Sequence, residues 1–366
     1  MGHGVIIEVI YAPVVGGSEM LAFNLCRDWQ RSGIKARICC LYKREGALIA
    51  AFEAAGIPYD LLDVGALPVW RRWIRVWRYL RRAHPAAIHV HHLSSLVNVL
   101  LPAYLAGCFR IVYTEHSSWG IAKTTWMRLA LPVISMFVRR FTCVSRDLAD
   151  VFRALGVPRR IVTIYNGVDV QRYHPNPSRP EVSPVVRIGA VGRLVEEKDY
   201  PTLLKAFALL KDRVRFFAEI AGDGPLAGDL RMQARALGLA DIVRFRGRCD
   251  NVPAFLRDLD IYVLSSQHEG LPIAIMEAMA TALPVVATRI TAIPEIIEDG
   301  VTGVLVEPGD PPAMAEALAS LARDAGRRRD LGAEAMRRVR ATYTIQHTSR
   351  SYARYLGVEG KDKAAS

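Results

Sequence analysis

The strongest constraint on the fold lies in residues 261–287. Residues 261–264 (IYVL) are a short apolar run, residues 265–270 (SSQHEG) a polar loop, and an almost wholly apolar helical stretch follows from Pro272. A second apolar run begins at Pro284. Apolar runs of strand length on either side of a helix belong to a parallel sheet covered on both faces, and Pro272 is expected at the first helical position. Between Ile273 and Ala280 the only charge is Glu277. A carboxylate in so apolar a helix is costly unless something hydrogen-bonds to it. The start of the same helix offers free amides and a partial positive charge that suit a phosphate. From Pro272 to Glu277 the rise is roughly 7.5 Å, about the reach from a diphosphate to a ribose. One helix can then hold phosphates at its tip and hydroxyls further in; the competing reading is a glutamate paired with a neighbouring arginine.

With 366 residues, half of them apolar, the chain has room for two domains of about 150 to 180 residues, each with its own core. The net charge of +12 fits nucleic acid, anionic lipid or phosphorylated substrates. The six cysteines form no C-x-x-C pair and lie mostly in apolar runs, which predicts small buried hydrophobes in a reducing compartment. No signal peptide and no membrane-spanning helix are expected, so the expected location is cytoplasmic.

Taken in order, residues 5–10 read as a first buried strand broken only by Glu8. Gly16 and Gly17 sit between it and an amphipathic helix, where backbone can approach a ligand or simply turn, and Ser18 is a candidate cap. A full G-x-G-x-x-G is missing, which argues against a dinucleotide dehydrogenase. Residues 69–82 read VWRRWIRVWRYLRR. Trp70, Trp73, Ile74, Trp77 and Leu80 fall on one stripe and Arg71, Arg72, Arg75, Arg78, Arg81 and Arg82 fill the rest. This composition suits an anionic bilayer surface; the alternative is a core-packed helix with a basic back. The greasy face argues against nucleic acid. Residues 125–140, apolar with basic ends, are a candidate second membrane-facing helix.

His89-Val90-His91-His92 closes a strand, and alternation puts His89 and His91 on one face. No carboxylate or cysteine stands close in sequence, so no metal site is expected. His116, just past the strand at 111–114, lies where parallel sheets bind ligands. Four prolines in residues 174–184 place a domain boundary there, giving domains at 1–178 and 179–342, with residues 343–366 as a returning helix and polar tail. In the second domain Arg193 and Lys198 follow a strand, where two cations can hold a diphosphate and offset charge on a leaving group. Asp258-Leu259-Asp260 formally matches a metal-binding D-x-D but is expected to be structural.

EGLPIAIMEAMA, with its two glutamates eight residues apart, resembles the signature of retaining glycosyltransferases of family four. GRLVEEK at 192–198, the GGSE turn, TEH at 114–116 and NGVD at 166–169 resemble the same family. The resemblance implies a GT-B fold, two doubly wound Rossmann-like domains facing a cleft, with a C-terminal helix crossing back to the first. It implies transfer of a sugar from a nucleoside diphosphate sugar to a lipid-linked or glycan acceptor in polysaccharide or glycolipid biosynthesis, at the inner face of the plasma membrane, without a metal. A sugar-nucleotide epimerase and a soluble glycan synthase are the alternatives. By resemblance Glu269 lies near the transferred sugar and Glu277 binds the ribose. Arg193 and Lys198 hold the diphosphate with the backbone around Gly270, Leu271, Pro272 and Ile273. His116 contacts the sugar or acceptor, Gly16 and Gly17 line the cleft, and His91 and His92 are further candidates on the acceptor side. The chain departs from the family where glycine or asparagine is usual, at Asp199 and Ala282, and has Thr291-Ala292 for a usual Gly-Gly, which puts those loop shapes in question.

Overall fold

The computed structural model describes residues 4–42, 46–117, 125–157, 161–177 and 185–358. The chain divides into two compact units, residues 1–167 with 345–366, and residues 168–344. The division falls at Gly167, ahead of the proline-rich stretch, because residues such as Val168 already bond to the second unit: its amide donates to Tyr343 O at 2.8 Å.

The first unit holds seven parallel strands in the order β3-β2-β1-β4-β5-β6-β7. They are β1 (Ile6–Ile10), β2 (Ala36–Cys40), β3 (Tyr59–Leu61), β4 (Ala87–His91), β5 (Ile111–Glu115), β6 (Arg140–Cys143) and β7 (Ile161–Thr163). β1, β4 and β5 are buried at every position, as continuous apolar runs in a covered parallel sheet should be. The β1/β4 register sets Glu8 opposite His89. Helix α1 (Gly17–Arg31) packs its apolar face on this sheet and also carries the C-terminal helix Ile345–Leu356. The Trp29 indole N–H donates to Ser349 O at 3.1 Å, and Trp29, Tyr352 and Leu356 join one core cluster. The returning helix is therefore core, and truncating a buried aromatic such as Trp29 costs ~3–5 kcal/mol.

After the short α2 (Ala47–Ala54), helix α3 (Val69–Ala83) differs from the single tryptophan stripe expected. Val76 and Leu80 are its buried positions. Trp73 and Trp77 lie against α4 (Leu93–Leu105), their indole N–H groups donating to Val97 O and Leu105 O, both at 3.3 Å. Trp70 and Ile74 stay exposed. A helix turns 100° per residue, so the stripe spans two faces once a neighbouring helix takes one of them.

The second unit repeats the plan with six parallel strands, β10-β9-β8-β11-β12-β13. They are β8 (Val186–Val191), β9 (Phe216–Ala221), β10 (Val243–Gly247), β11 (Ile261–Leu264), β12 (Val285–Thr288) and β13 (Val304–Val306). The helix after β11 spans Ile273–Ala280, with Pro272 as its N-cap in extended conformation, one position earlier than expected. In each sheet the strand order reverses beside the first strand, between β1 and β4 and between β8 and β11. Ligands of doubly wound sheets bind outside the carboxyl ends of strands at such switch points. No described helix is long and apolar enough to cross a membrane.

Candidate functional site

In the second unit the switch point is built from two loops, residues 192–199 after β8 and residues 265–272 after β11. The Gly222–Gly224 turn braces the first loop: Gly192 N donates to Ala221 O and Leu194 N to Asp223 O, both at 3.0 Å. Gly222 has φ +157°, and a Cβ there would stand 1.8 Å from Gly192 O, so only glycine fits. The two switch-point loops are tied to each other. Gln267 N donates to Glu197 O at 2.9 Å, Ser265 Oγ to Lys198 O at 2.9 Å, and Gln267 Nε2 to Asp199 Oδ2 at 2.9 Å.

This bracing brings together Lys198 and Glu269, 71 residues apart, with Nζ 2.5 Å from Oε1. Ser266 Oγ donates to the same carboxylate oxygen at 2.7 Å. The side chains are 22% and 11% exposed, enough for a ligand to reach them. Lys198 has three N–H donors, so the ion pair leaves donors for a phosphate. The amides of Gly270, Leu271 and Ile273 find no acceptor among the described residues, as at an uncapped helix start. Arg193 is not drawn into the pair; it is exposed, and its side chain has no ion pair or hydrogen bond among the described residues.

Glu277 is held by a residue the sequence reading passed over. The Tyr173 hydroxyl and the Arg172 guanidinium lie near its carboxylate, and both act to lower its pKa. Burial nevertheless outweighs both partners and leaves the Glu277 carboxyl above its usual range. A carboxylate accepts about four hydrogen bonds, so capacity for ribose hydroxyls remains. The arginine-paired alternative is thus met in part, by proximity to Arg172, with Tyr173 as a second neighbour. Asp260 has a structural bond, its carboxylate accepting from Arg187 N at 2.7 Å.

The three departures from glycine keep the glycine backbone. Asp199 has φ +45°, Ala282 +58° and Thr291 +39°. Asp199 also caps the following helix, Oδ1 accepting from Thr202 N at 3.3 Å. Left-handed backbone at a non-glycine residue costs roughly 1–2 kcal/mol, and Ala292 beside Thr291 is right-handed, at φ -80°.

In the first unit the switch point gathers histidines. His116 Nε2 stands 2.9 Å from His91 Nδ1. His92, at φ +66°, places Nε2 2.8 Å from Ser18 Oγ and Nδ1 3.4 Å from Glu115 Oε1. The His92 imidazole is pushed down by burial, but the Glu115 and Glu19 carboxylates together outweigh that and its pKa ends raised. Gly16 is the extended N-cap of α1, with Gly17 the first helical residue. The expectation that the histidines lack a carboxylate is overturned. Glu8, on the adjoining strand, stands between His89 Nδ1 at 2.8 Å and His91 Nε2 at 2.7 Å. A single charge inside an apolar strand was the available signal. Its partner lies 81 residues away and only strand pairing joins them.

Residues 15–172 match the family model Glycosyltransferase Family 4, and residues 185–324 match Glycosyl transferases group 1. With the two Rossmann-like sheets they define the class, a GT-B chain with a glycosyltransferase-type segment in each half. The putative glycosyltransferase EpsF of Bacillus subtilis is 29% identical over 302 residues, 76% of this chain and 77% of its own length. The lipopolysaccharide core biosynthesis mannosyltransferase LpsB of Rhizobium meliloti is 28% identical over 346 residues, 88% of this chain and 93% of its own. The crystal structure of HepE from Anabaena in complex with UDP and glucose superposes with a TM-score of 0.86 at 20% identity, covering 98% of this chain and 100% of that one.

Proposed function

We propose that this protein is a hexosyltransferase. It moves a sugar from a nucleoside diphosphate sugar to a hydroxyl of a lipid-linked or surface-glycan acceptor, retaining anomeric configuration and using cationic side chains in place of a metal. The observation that carries the reading is the Lys198–Glu269 pair at the carboxyl ends of β8 and β11, next to the amides of Gly270, Leu271 and Ile273, which have no acceptor among the described residues. Those groups fit a diphosphate leaving group. Arg193 is free to join them, and Glu277 is an acceptor for ribose hydroxyls. Glu269 orients the sugar. As the bond from the anomeric carbon to phosphate breaks, the acceptor oxygen bonds that carbon on the same face, and its proton passes to the departing phosphate. The LpsB and HepE names support a sugar-nucleotide donor and a cell-surface product.

The test is release of nucleoside diphosphate across UDP- and GDP-sugars, with bacterial membrane lipid extract as acceptor and with and without a chelator. The anomeric configuration of the product is read by NMR. Failure to release nucleotide from any donor, or an inverted product, refutes the reading. Conversion of donor without acceptor points to an epimerase instead.

The exposed surface of the first unit supports a membrane-associated acceptor. Val69, Trp70 and Ile74 are exposed on α3 among exposed Arg71, Arg75, Arg78, Arg81 and Arg82. Leu101 and Leu105 of α4, Phe109, and Leu129, Val133 and Met136 of the Thr125–Met136 helix are exposed as well. Tyr104 meets Phe109 and Phe137 edge-on, at 5.2 and 6.2 Å, which joins the end of α4 to the chain after that helix. An apolar surface with about 1 kcal/mol of attraction per nearby arginine suits an anionic bilayer. Flotation with phosphatidylglycerol vesicles at low salt should carry the protein, and Trp70→Ser with Ile74→Ser should abolish it. Absence of binding, or binding indifferent to that double change, refutes the membrane assignment.

A further inference from the structure

Glu8, His89 and His91 are completely buried, whereas His116 is partly buried. They form a chain of contacts: Glu8 Oε2 to His91 Nε2 at 2.7 Å, then His91 Nδ1 to His116 Nε2 at 2.9 Å. We propose that Glu8 and His91 act as a hydrogen-bond relay that fixes His116 as its Nε2–H tautomer, so that Nδ1 offers a lone pair to a ligand hydroxyl.

An ionised carboxylate only accepts hydrogen bonds, so the nitrogens facing Glu8, His89 Nδ1 and His91 Nε2, carry hydrogen. A neutral imidazole bears one N–H, which leaves His91 Nδ1 with a lone pair. Two ring nitrogens 2.9 Å apart share one proton, and it belongs to His116 Nε2. His116 Nδ1 is then bare, and it has no partner among the described residues. The ionisation states agree with this geometry. Burial raises the Glu8 carboxyl, but His89 and His91 outweigh it and leave the pKa lowered. Burial, then the neighbouring His89, lowers His91 to about 4. Burial, then His92, His91 and His89, holds His116 well below the usual histidine value. The His116 ring is also held by its neighbours, with centroids of His91 and His92 at 5.2 and 4.9 Å and its own backbone N–H on Glu115 Oε1 at 3.0 Å.

Glu8, His89 and His91 also have the composition of a metal site, but not the spacing. Donors around a tetrahedral zinc with bonds of about 2.0–2.1 Å stand about 3.3–3.4 Å apart. The contacts of 2.8 and 2.7 Å are hydrogen bonds.

The relay sets the chemistry that His116 recognises. A bare nitrogen accepts from a hydroxyl and repels a phosphate oxygen, whereas the opposite tautomer would do the reverse. If His116 meets ligand in the proposed transfer, it meets a sugar or acceptor hydroxyl. Glu8 and His91 are then positioning residues, acting through His116.

The tautomer is measured by NMR on the full chain with 15N-labelled histidine and no ligand, His116 being assigned with a His116→Gln variant. Nε2 protonated and Nδ1 bare at neutral pH is the expected state. His91→Leu removes the acceptor and should lose that preference. His91→Gln keeps it, since its amide donates to Glu8 and its carbonyl accepts from His116. In a transfer assay His91→Leu should lower kcat about tenfold, the loss of one oriented hydrogen bond, with donor KM little changed, and His91→Gln should restore it. Nδ1–H or doubly protonated His116 in the native protein overturns the relay. So does an unchanged tautomer in His91→Leu, or stoichiometric zinc held by Glu8, His89 and His91. If His91→Leu does not fold, the native tautomer and His91→Gln still decide the matter. Because the NMR needs no substrate, a native protein that transfers no sugar defeats the proposed function and leaves the relay to be judged separately.

Discussion

Lys198→Ala separates the chemistry of the second unit's site from its stability. Lys198 and Glu269 are neither exposed nor sealed, at 22% and 11%. An exposed ion pair is worth 0–1 kcal/mol and breaking a fully buried one costs about 3–5 kcal/mol, so roughly 2 kcal/mol is expected here. Ser266 still donates to Glu269 and limits the damage. A loss of that size leaves most of a typical stability of 5–15 kcal/mol, so the variant stays folded at assay temperature. The effect on turnover is larger. A positioned donor on a developing charge contributes 10²-fold or more to kcat, about 2.7 kcal/mol of barrier or above. Urea unfolding and nucleotide release, measured on the same preparations, separate the two effects. Glu269→Gln and the double variant complete a cycle in which a coupling of about 1–2 kcal/mol in stability is expected. Turnover within threefold of native in Lys198→Ala, with the protein folded, refutes the assignment. An activity loss that only tracks the unfolded fraction refutes it equally.

Three further outcomes follow from the geometry. Ala282→Gly and Thr291→Gly relieve left-handed backbone at φ +58° and +39° and should each raise stability by about 1 kcal/mol in urea titrations; an unchanged or lower midpoint removes the strain argument. Because Glu277 is raised by burial and the Tyr173 hydroxyl opposes that rise, donor affinity should fall on acidification through the raised pKa. Tyr173→Phe should move that midpoint to higher pH, read by titration calorimetry; no movement rejects the influence of Tyr173 on Glu277. Finally, His91 has a folded pKa of about 4, below its unfolded value of about 6.5. The unfolded chain therefore takes up that proton first as pH falls. Stability present above pH 6.5 should decline between about 6.5 and 4, by on the order of 3 kcal/mol for this residue. The decline should be smaller in a folded His91→Gln protein.

Much of this protein was legible in one dimension because its information is local. Apolar runs of strand length, each followed by a helix, specify covered parallel sheets, and both sheets formed as the pattern required. Glycines after the first strand of each half, Gly16-Gly17 and Gly192, mark the switch points, since ligands approach where side chains are absent. The isolated charge of Glu277 in an apolar helix was visible for the same reason. What the tertiary structure alone decided is every pairing between distant segments. Lys198 meets Glu269 across 71 residues because the loops after β8 and β11 adjoin at the reversal of strand order. Glu8 meets His89 and His91 because β1 pairs with β4. The tryptophans of α3 divide between α4 and solvent because helix packing covers only one face. Strand order and helix neighbours arise from long-range burial, which no local pattern encodes. Residue identities reveal which groups are chemically capable, and the sheet topology decides which of them meet.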